Sequence, residues 1–141
     1  MRVFVDTSAW VALYYKRDQY HEEAANIWKG MIRKNPQLYT TDYVFDETVT
    51  LLRKRAGYYP SKVAGDSILK SPHVEIIFIG KDMMLKAWEV YEKYKDHDLS
   101  FTDCTSIAVM NVRGIKNVFG FDSHFGKVGF TELGKEDKRY R

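Results

Sequence analysis

Two kinds of stretch alternate along the chain. Short runs rich in apolar and β-branched residues lie at positions 3–5, 38–40, 74–79 and 118–121. Such runs predict strands buried on both faces. Between them apolar residues recur at helical spacing. A first helix is predicted over 9–15, with Lys16 and Arg17 suiting its C-terminal end. A second is capped by Asp18, carries Tyr20, Ala24, Ile27, Trp28, Met31 and Ile32 on its apolar face, and stops at Asn35-Pro36. A third takes Asp42 as its cap and Gly57 as its stop, and a fourth opens at Pro60-Ser61 and closes at Ser71-Pro72. Residues 81–95 predict a fifth, with Met84, Ala87, Trp88 and Tyr91 on one face. A polar loop over 96–100 precedes a sixth helix, capped by Thr102 and ending before Gly114. Positions 128–130 predict a short edge strand.

Strands alternating with helices predict an α/β fold: a mostly parallel twisted sheet of about five strands flanked by helices. At 141 residues the chain suits one domain. We place that domain at 1–134 and read 135–141 as a charged, loose tail. No repeat or low-complexity segment interrupts it.

Composition narrows the class only a little. The chain is 45% hydrophobic and 29% charged, as soluble globular domains are. A net charge of +3, from 22 basic and 19 acidic residues, does not by itself call for a nucleic-acid partner. The single Cys104 excludes an internal disulfide and fits a reducing compartment. There is no apolar run of membrane-spanning length and no signal-peptide pattern, so the expectation is an intracellular protein with no membrane partner.

The chemistry lies in four carboxylates. Asp6 follows the apolar run 3–5 directly, at a strand-to-helix junction. In open parallel sheets, ligands bind outside the carboxyl ends of the strands. Asp is equally a preferred helix cap, so Asp6 has a structural reading too. Asp122 repeats the arrangement after VFGF. On the third helix Glu47 falls at the border of the stripe Val44, Phe45, Thr48, Leu51 and Leu52, while Asp46 points to solvent. Asp103 lies in the first turn of its helix, where the dipole favours a carboxylate by about 0.3–1 kcal/mol. Brought together, such groups repel: two unit charges 4 Å apart cost on the order of 4 kcal/mol at an effective dielectric of 20. A cation that offsets this repulsion among oxygen donors is Mg²⁺ or Mn²⁺. Zinc is disfavoured by one cysteine and the absence of paired-histidine spacing. His21, His73, His97 and His124 are scattered, and read as surface or helix-terminal residues.

Four segments carry a resemblance: FVDTSAWVAL, TTDYVFDETVTLLRKR, LSFTDCTSIAVM and FGFDSHFGKVGF, in this order and over most of the chain. They resemble the PIN-domain ribonucleases and, among these, the VapC-type toxins of toxin–antitoxin pairs. The resemblance implies an endoribonuclease that hydrolyses phosphodiester bonds with Mg²⁺ or Mn²⁺. Its acidic positions fall on Asp6, Glu47, Asp103 and Asp122, all present here. It implies Asp6, Asp103 and Asp122 as direct ligands. Glu47 would act through water, and Ser8 and Thr102 would hydrogen-bond to the ligands. It also implies RNA as substrate, a homodimer and a cognate antitoxin.

Arg53, Lys54 and Arg55, then Tyr58, Tyr59 and Lys62, interleave cations with aromatics as single-strand binding surfaces do. Residues 14–17, YYKR, do likewise. Helix-terminal cations and packed tyrosines explain the same residues without RNA; in the family, this region serves dimerisation and antitoxin contact. Two competing readings are a catalytically silent binding module and a Mg²⁺-binding receiver-like domain. The second needs an acid at the end of a central strand, and the run 74–79 ends in Gly80-Lys81.

Overall fold

The computed structural model describes residues 1–134, so the expected tail at 135–141 lies outside the described residues. Five strands, β1 (Arg2–Val5), β2 (Gln37–Thr41), β3 (Val74–Ile77), β4 (Asn117–Phe119) and β5 (Thr131–Leu133), form one sheet in the order β3-β2-β1-β4-β5. Every neighbouring pair is parallel. The helices are α1 (Thr7–Tyr14), α2 (His21–Ile32), α3 (Asp42–Ala56), α4 (Tyr58–Lys70), α5 (Lys81–Lys93), α6 (Phe101–Arg113) and α7 (His124–Lys127). The expected α/β class and parallel sheet are thus present.

Sequence explains the centre of the sheet. Val3, Phe4 and Val5 of β1 are fully buried, as a strand covered on both faces requires. Trp10, Ile27, Met31, Val118 and Phe119 join them in the main core. The chain first builds outward from β1 to β2 and β3, then returns to lay β4 on the other side of β1. The reversal makes a crevice between the carboxyl ends of β1 and β4, the usual ligand position in open α/β sheets. Asp6 stands at its lip.

Several boundaries differ from expectation, each for a local reason. The cap of α3 is Thr41, whose Oγ1 accepts from the Val44 amide at 3.0 Å. Asp42 instead accepts from the Ile79 amide at 2.9 Å, which draws 78–79 away from the ladder and ends β3 at Ile77. Asp18 accepts from the Tyr20 amide and closes a turn before α2, whose N-cap is Tyr20. The cap of α6 is Ser100, not Thr102. The Phe121 amide donates to Ser8 Oγ rather than to a strand, so β4 stops at Phe119. The edge strand lies at Thr131–Leu133 because the amides of Val128 and Phe130 both turn back to the Phe125 carbonyl. The pattern of apolar residues gave no sign of α7, a single turn.

Candidate metal centre

Asp6 is held by the backbone on both sides. Its amide donates to the Phe119 carbonyl of β4 at 2.9 Å, and its carbonyl accepts from Ala9 and Trp10 at the start of α1. Its carboxylate caps α1, Oδ2 accepting from the Ser8 amide at 3.3 Å. The Ser8 hydroxyl donates to the same oxygen at 2.8 Å and accepts from the Phe121 amide at 2.9 Å. One serine thus ties Asp6 to the loop that carries Asp122. That loop passes close: a Cβ on Gly120 would sit 3.1 Å from Ser8 Oγ and 3.4 Å from Asp6 Oδ2, so glycine leaves the aspartate its room.

Asp103 is the third residue of α6 and one half of a capping box. Its amide donates to Ser100 Oγ at 3.0 Å, and its Oδ2 accepts from the Ser100 amide at 3.1 Å. Asp122 reaches inward from the bend after β4, with Oδ1 accepting from the His124 amide at 3.1 Å.

One carboxylate oxygen from each of Asp6, Asp103 and Asp122 lies within 4.8 Å of the others. Asp6 is only 3% exposed and Asp103 9%. Burial, then the charges of Asp122 and Asp103, push the Asp6 carboxyl well above the usual carboxylate range, against the opposing hydrogen bonds from Ser8. Asp103 is raised chiefly by burial, with Asp122 adding to it, while the Ser100 amide and His124 pull the other way. The cluster is therefore electrostatically unfavourable by itself. Its donor set, hard carboxylate oxygens converging on one point, fits Mg²⁺ or Mn²⁺.

A cavity of about 320 Å³ opens from the three aspartates and is lined also by Thr7, Ser8, Gln19, Tyr20, Glu47, Leu51, Arg55 and Phe121. Glu47, half-buried on α3, lines this cavity but is not part of the three-aspartate group. Asp46 is exposed, as its helical angle predicts. Thr102 lies instead in an adjoining groove, with Tyr43, Glu47 and Leu51. Ser8, by contrast, meets Asp6 directly.

Of the basic and aromatic residues singled out in sequence, Arg55 alone lines the cavity. The Arg53 guanidinium lies over the Tyr58 ring at 5.4 Å, and Lys62 pairs with Asp66 one turn along α4. His124 was passed over. It is helix-terminal as expected, yet its Nδ1 lies 3.4 Å from Asp103 Oδ2 and 3.7 Å from Asp122 Oδ1. The signal available was the spacing DSH, which lets a tight turn set Asp122 and His124 side by side. Thr7, also given no role in the sequence reading, lines the cavity, and its buried hydroxyl has no hydrogen-bond partner among the described residues.

The tie through Ser8 yields a prediction. Ser8→Ala removes a hydroxyl that holds two site elements. The expected result is a loss of about 1–2 kcal/mol in stability and a drop of about 10–100-fold in metal affinity or activity. Chemical denaturation and Mn²⁺ titration of the variant measure both; unchanged Mn²⁺ affinity would show that the hydroxyl serves the fold alone.

Residues 3–131 match the model of the PIN domain. The chain is 37% identical to the 23S rRNA-specific endonuclease VapC20 of Mycobacterium tuberculosis, over 95% of this chain and 99% of that protein. It is 26% identical to a VapC ribonuclease of Archaeoglobus fulgidus, over 89% of this chain and 80% of that one. The crystal structure of the same M. tuberculosis protein, described as a Sarcin-Ricin loop cleaving toxin, superposes with a TM-score of 0.86 at 34% identity, covering 94% of this chain and 99% of that chain. The VapBC2 structure from Rickettsia felis, bound to a DNA fragment from its promoter, shares the fold at a TM-score of 0.71 and 14% identity, over 96% of this chain and all of that chain (100%).

Proposed function

This chain belongs to the PIN-domain family, and we propose that it is a divalent-metal-dependent endoribonuclease, the toxin of a VapBC-type pair. The observation that carries the reading is the convergence of Asp6, Asp103 and Asp122 in one cavity. The likeness to a 23S rRNA-specific endonuclease over nearly the whole of both chains supports RNA as the substrate. A cognate antitoxin and self-association as a homodimer belong to the same reading, as does a cytoplasmic site of action, where RNA and a reduced Cys104 are both at home. Among the described residues, no helix is long and apolar enough to cross a membrane.

In this mechanism Asp6, Asp103 and Asp122 would hold Mg²⁺ or Mn²⁺. The chemistry a bound ion supplies there is neutralisation of charge at the phosphate and acidification of water. Ser8 fixes the Asp6 carboxylate and, through the Phe121 amide, the approach of Asp122. Glu47, across the cavity, orients the attacking water and receives its proton. Arg55, which lines the cavity, would offer a cation to the incoming phosphate backbone. Arg53, Tyr58 and Lys62 extend that basic face along α3 and α4.

The test is cleavage of purified 23S rRNA, with new 5′ ends mapped in Mg²⁺ and in EDTA. Discrete ends that need the metal are expected. Intact RNA under both conditions would leave a silent binding module, and equal cleavage in EDTA would remove the metal from the mechanism.

A further inference from the structure

Two aromatic rings, Tyr20 and Phe121, line the cavity of the three aspartates. They stack nearly parallel, with centroids 4.7 Å apart and planes 4° apart. Phe121 is 5% exposed, and its ring meets the fully buried Phe119 at 5.9 Å. Tyr20 is half-buried. A short pile of rings therefore rises from the core at β4 and ends on Tyr20 at the cavity wall.

The backbone holds both rings in place. Phe121 directly precedes Asp122, and its amide donates to Ser8 Oγ, the hydroxyl that also serves Asp6. The Tyr20 amide donates to Asp18 Oδ1 at 2.8 Å, and the Tyr20 carbonyl accepts from the Ala24 amide in the first turn of α2. The next residue, His21, has its Nδ1 2.7 Å from the Ala12 carbonyl of α1. The ring pile and the carboxylates thus belong to one fixed frame.

The charge of the cavity indicates what a bound strand needs there. Among the described residues, Asp6, Asp18, Glu47, Asp103 and Asp122 line it against one cation, Arg55. Apart from that cation and a bound metal, such a wall offers phosphates little attraction. Affinity at this wall has to come from the uncharged part of a nucleotide, and an aromatic face stacks any base. A volume of about 320 Å³ falls in the range of pockets that enclose small ligands. A base reaches such a pocket unstacked and unpaired, as the loops and bulges of folded RNA present it.

We propose that Tyr20 positions the substrate by stacking: the unpaired base of a nucleotide flanking the scissile phosphate lies on the side of the Tyr20 ring turned away from Phe121. The proposal rests on the nuclease reading above and adds which part of the RNA the site grips and with which residue. Packing alone asks only for an apolar cover over Phe121. Leucine supplies that cover and lacks the π face, so it separates the two roles.

The experiment compares wild type, Tyr20→Phe and Tyr20→Leu on a structured rRNA fragment that spans the mapped cut. Steady-state cleavage gives KM and kcat. In parallel, the fragment carries 2-aminopurine, whose fluorescence reports stacking, at either nucleotide flanking the cut; it is bound in Mn²⁺ by the slow Asp103→Asn protein with each Tyr20 side chain. Thermal melting with and without Mn²⁺ checks the fold and the metal centre. Tyr20→Leu is expected to raise KM about ten- to a hundredfold, the range alanine substitution gives for one stacked base, with little change in kcat or in the Mn²⁺ shift of Tm. The fluorescence change at one flanking position should vanish with leucine, and Tyr20→Phe should restore both readouts. A folded Tyr20→Leu protein with wild-type KM and fluorescence would show Tyr20 to be a core cover and overturn the proposal. A Tyr20→Phe protein as weak as Tyr20→Leu would assign the effect to the hydroxyl and overturn it too, as would loss of the Mn²⁺ shift in Tyr20→Leu, which would move the effect to the metal centre. In each of these cases wild-type cleavage leaves the nuclease reading intact. A wild type that cuts no rRNA would overturn that reading and this proposal together.

Discussion

Asp103→Asn is expected to cleave RNA about 10²–10³-fold more slowly than wild type while keeping its fold. The two halves of the prediction have separate causes. The asparagine carbonyl still accepts from the Ser100 amide, and the Asp103 amide bond to Ser100 Oγ is untouched, so the capping box survives. What disappears is the charge. Losing its interaction with the α6 dipole costs about 0.3–1 kcal/mol, and relief of repulsion from Asp6 and Asp122 offsets that cost. The melting temperature should therefore move by only a few degrees. Activity falls because one of three converging anionic donors has become neutral. Single-turnover cleavage alongside thermal melting separates the two effects. Wild-type turnover in this variant would reduce Asp103 to a helix cap.

The fold was legible because its apolar runs are short, continuous and bounded by caps and turn residues. The central strand reads VFV and is buried on both faces. Boundaries were less legible, because each depended on where one amide found its acceptor. The Ile79 amide goes to Asp42, and the Phe121 amide to Ser8 Oγ, across 37 and 113 residues of chain. No local pattern encodes such partners. Sequence placed Asp6 and Asp122 at strand ends, yet Asp122 arrives from a bend beyond β4, because the chain leaves the ladder at Phe119.

At the site the four acids were visible one by one, each with a structural reading of comparable weight. At Asp6 and Asp103 the structural reading is met, since these carboxylates cap α1 and α6, and the same carboxylates also stand in the three-aspartate cluster. His124 was not legible as part of the site, because its position depends on a one-turn helix with no periodicity to detect. A receiver-like domain needs an acid at the end of a central strand, and the strand that runs toward Gly80-Lys81 does not decide the point. That strand is at the sheet edge, and β1, which ends at Asp6, is central. The PIN-domain match carries the exclusion in its place.

The second large effect is on stability, and it follows from Asp6. The carboxyls of Asp6 and Asp103 hold their protons to higher pH in the folded state than when unfolded. Without metal, the folded state therefore binds more protons than the unfolded one across the window from about pH 4, the ordinary aspartate value, up to the raised folded values. Through that window these two groups make stability fall as pH rises, and above it the full penalty of like charges applies. Asp6→Asn removes the most buried of the charges, and asparagine remains a good N-cap able to accept from the Ser8 amide. The metal-free variant should be at least as stable as wild type at neutral pH, with a shallower decline between acid and neutral pH.

Metal reverses the comparison. An ion that binds only the folded state stabilises it by about 2.7 kcal/mol at a hundredfold excess over Kd. For a chain of this size that is a rise of several degrees or more in Tm, and most of it should vanish in Asp6→Asn. The measurement that bears most directly on the three-aspartate centre is thus thermal melting of wild type and Asp6→Asn, each in EDTA and in saturating Mn²⁺ at neutral pH. The expected result is a variant that melts no lower than wild type in EDTA and gains little from Mn²⁺, while wild type gains several degrees. A variant that melts well below wild type in EDTA and keeps the whole Mn²⁺ shift would show Asp6 to be a helix cap and contradict the assignment of the centre.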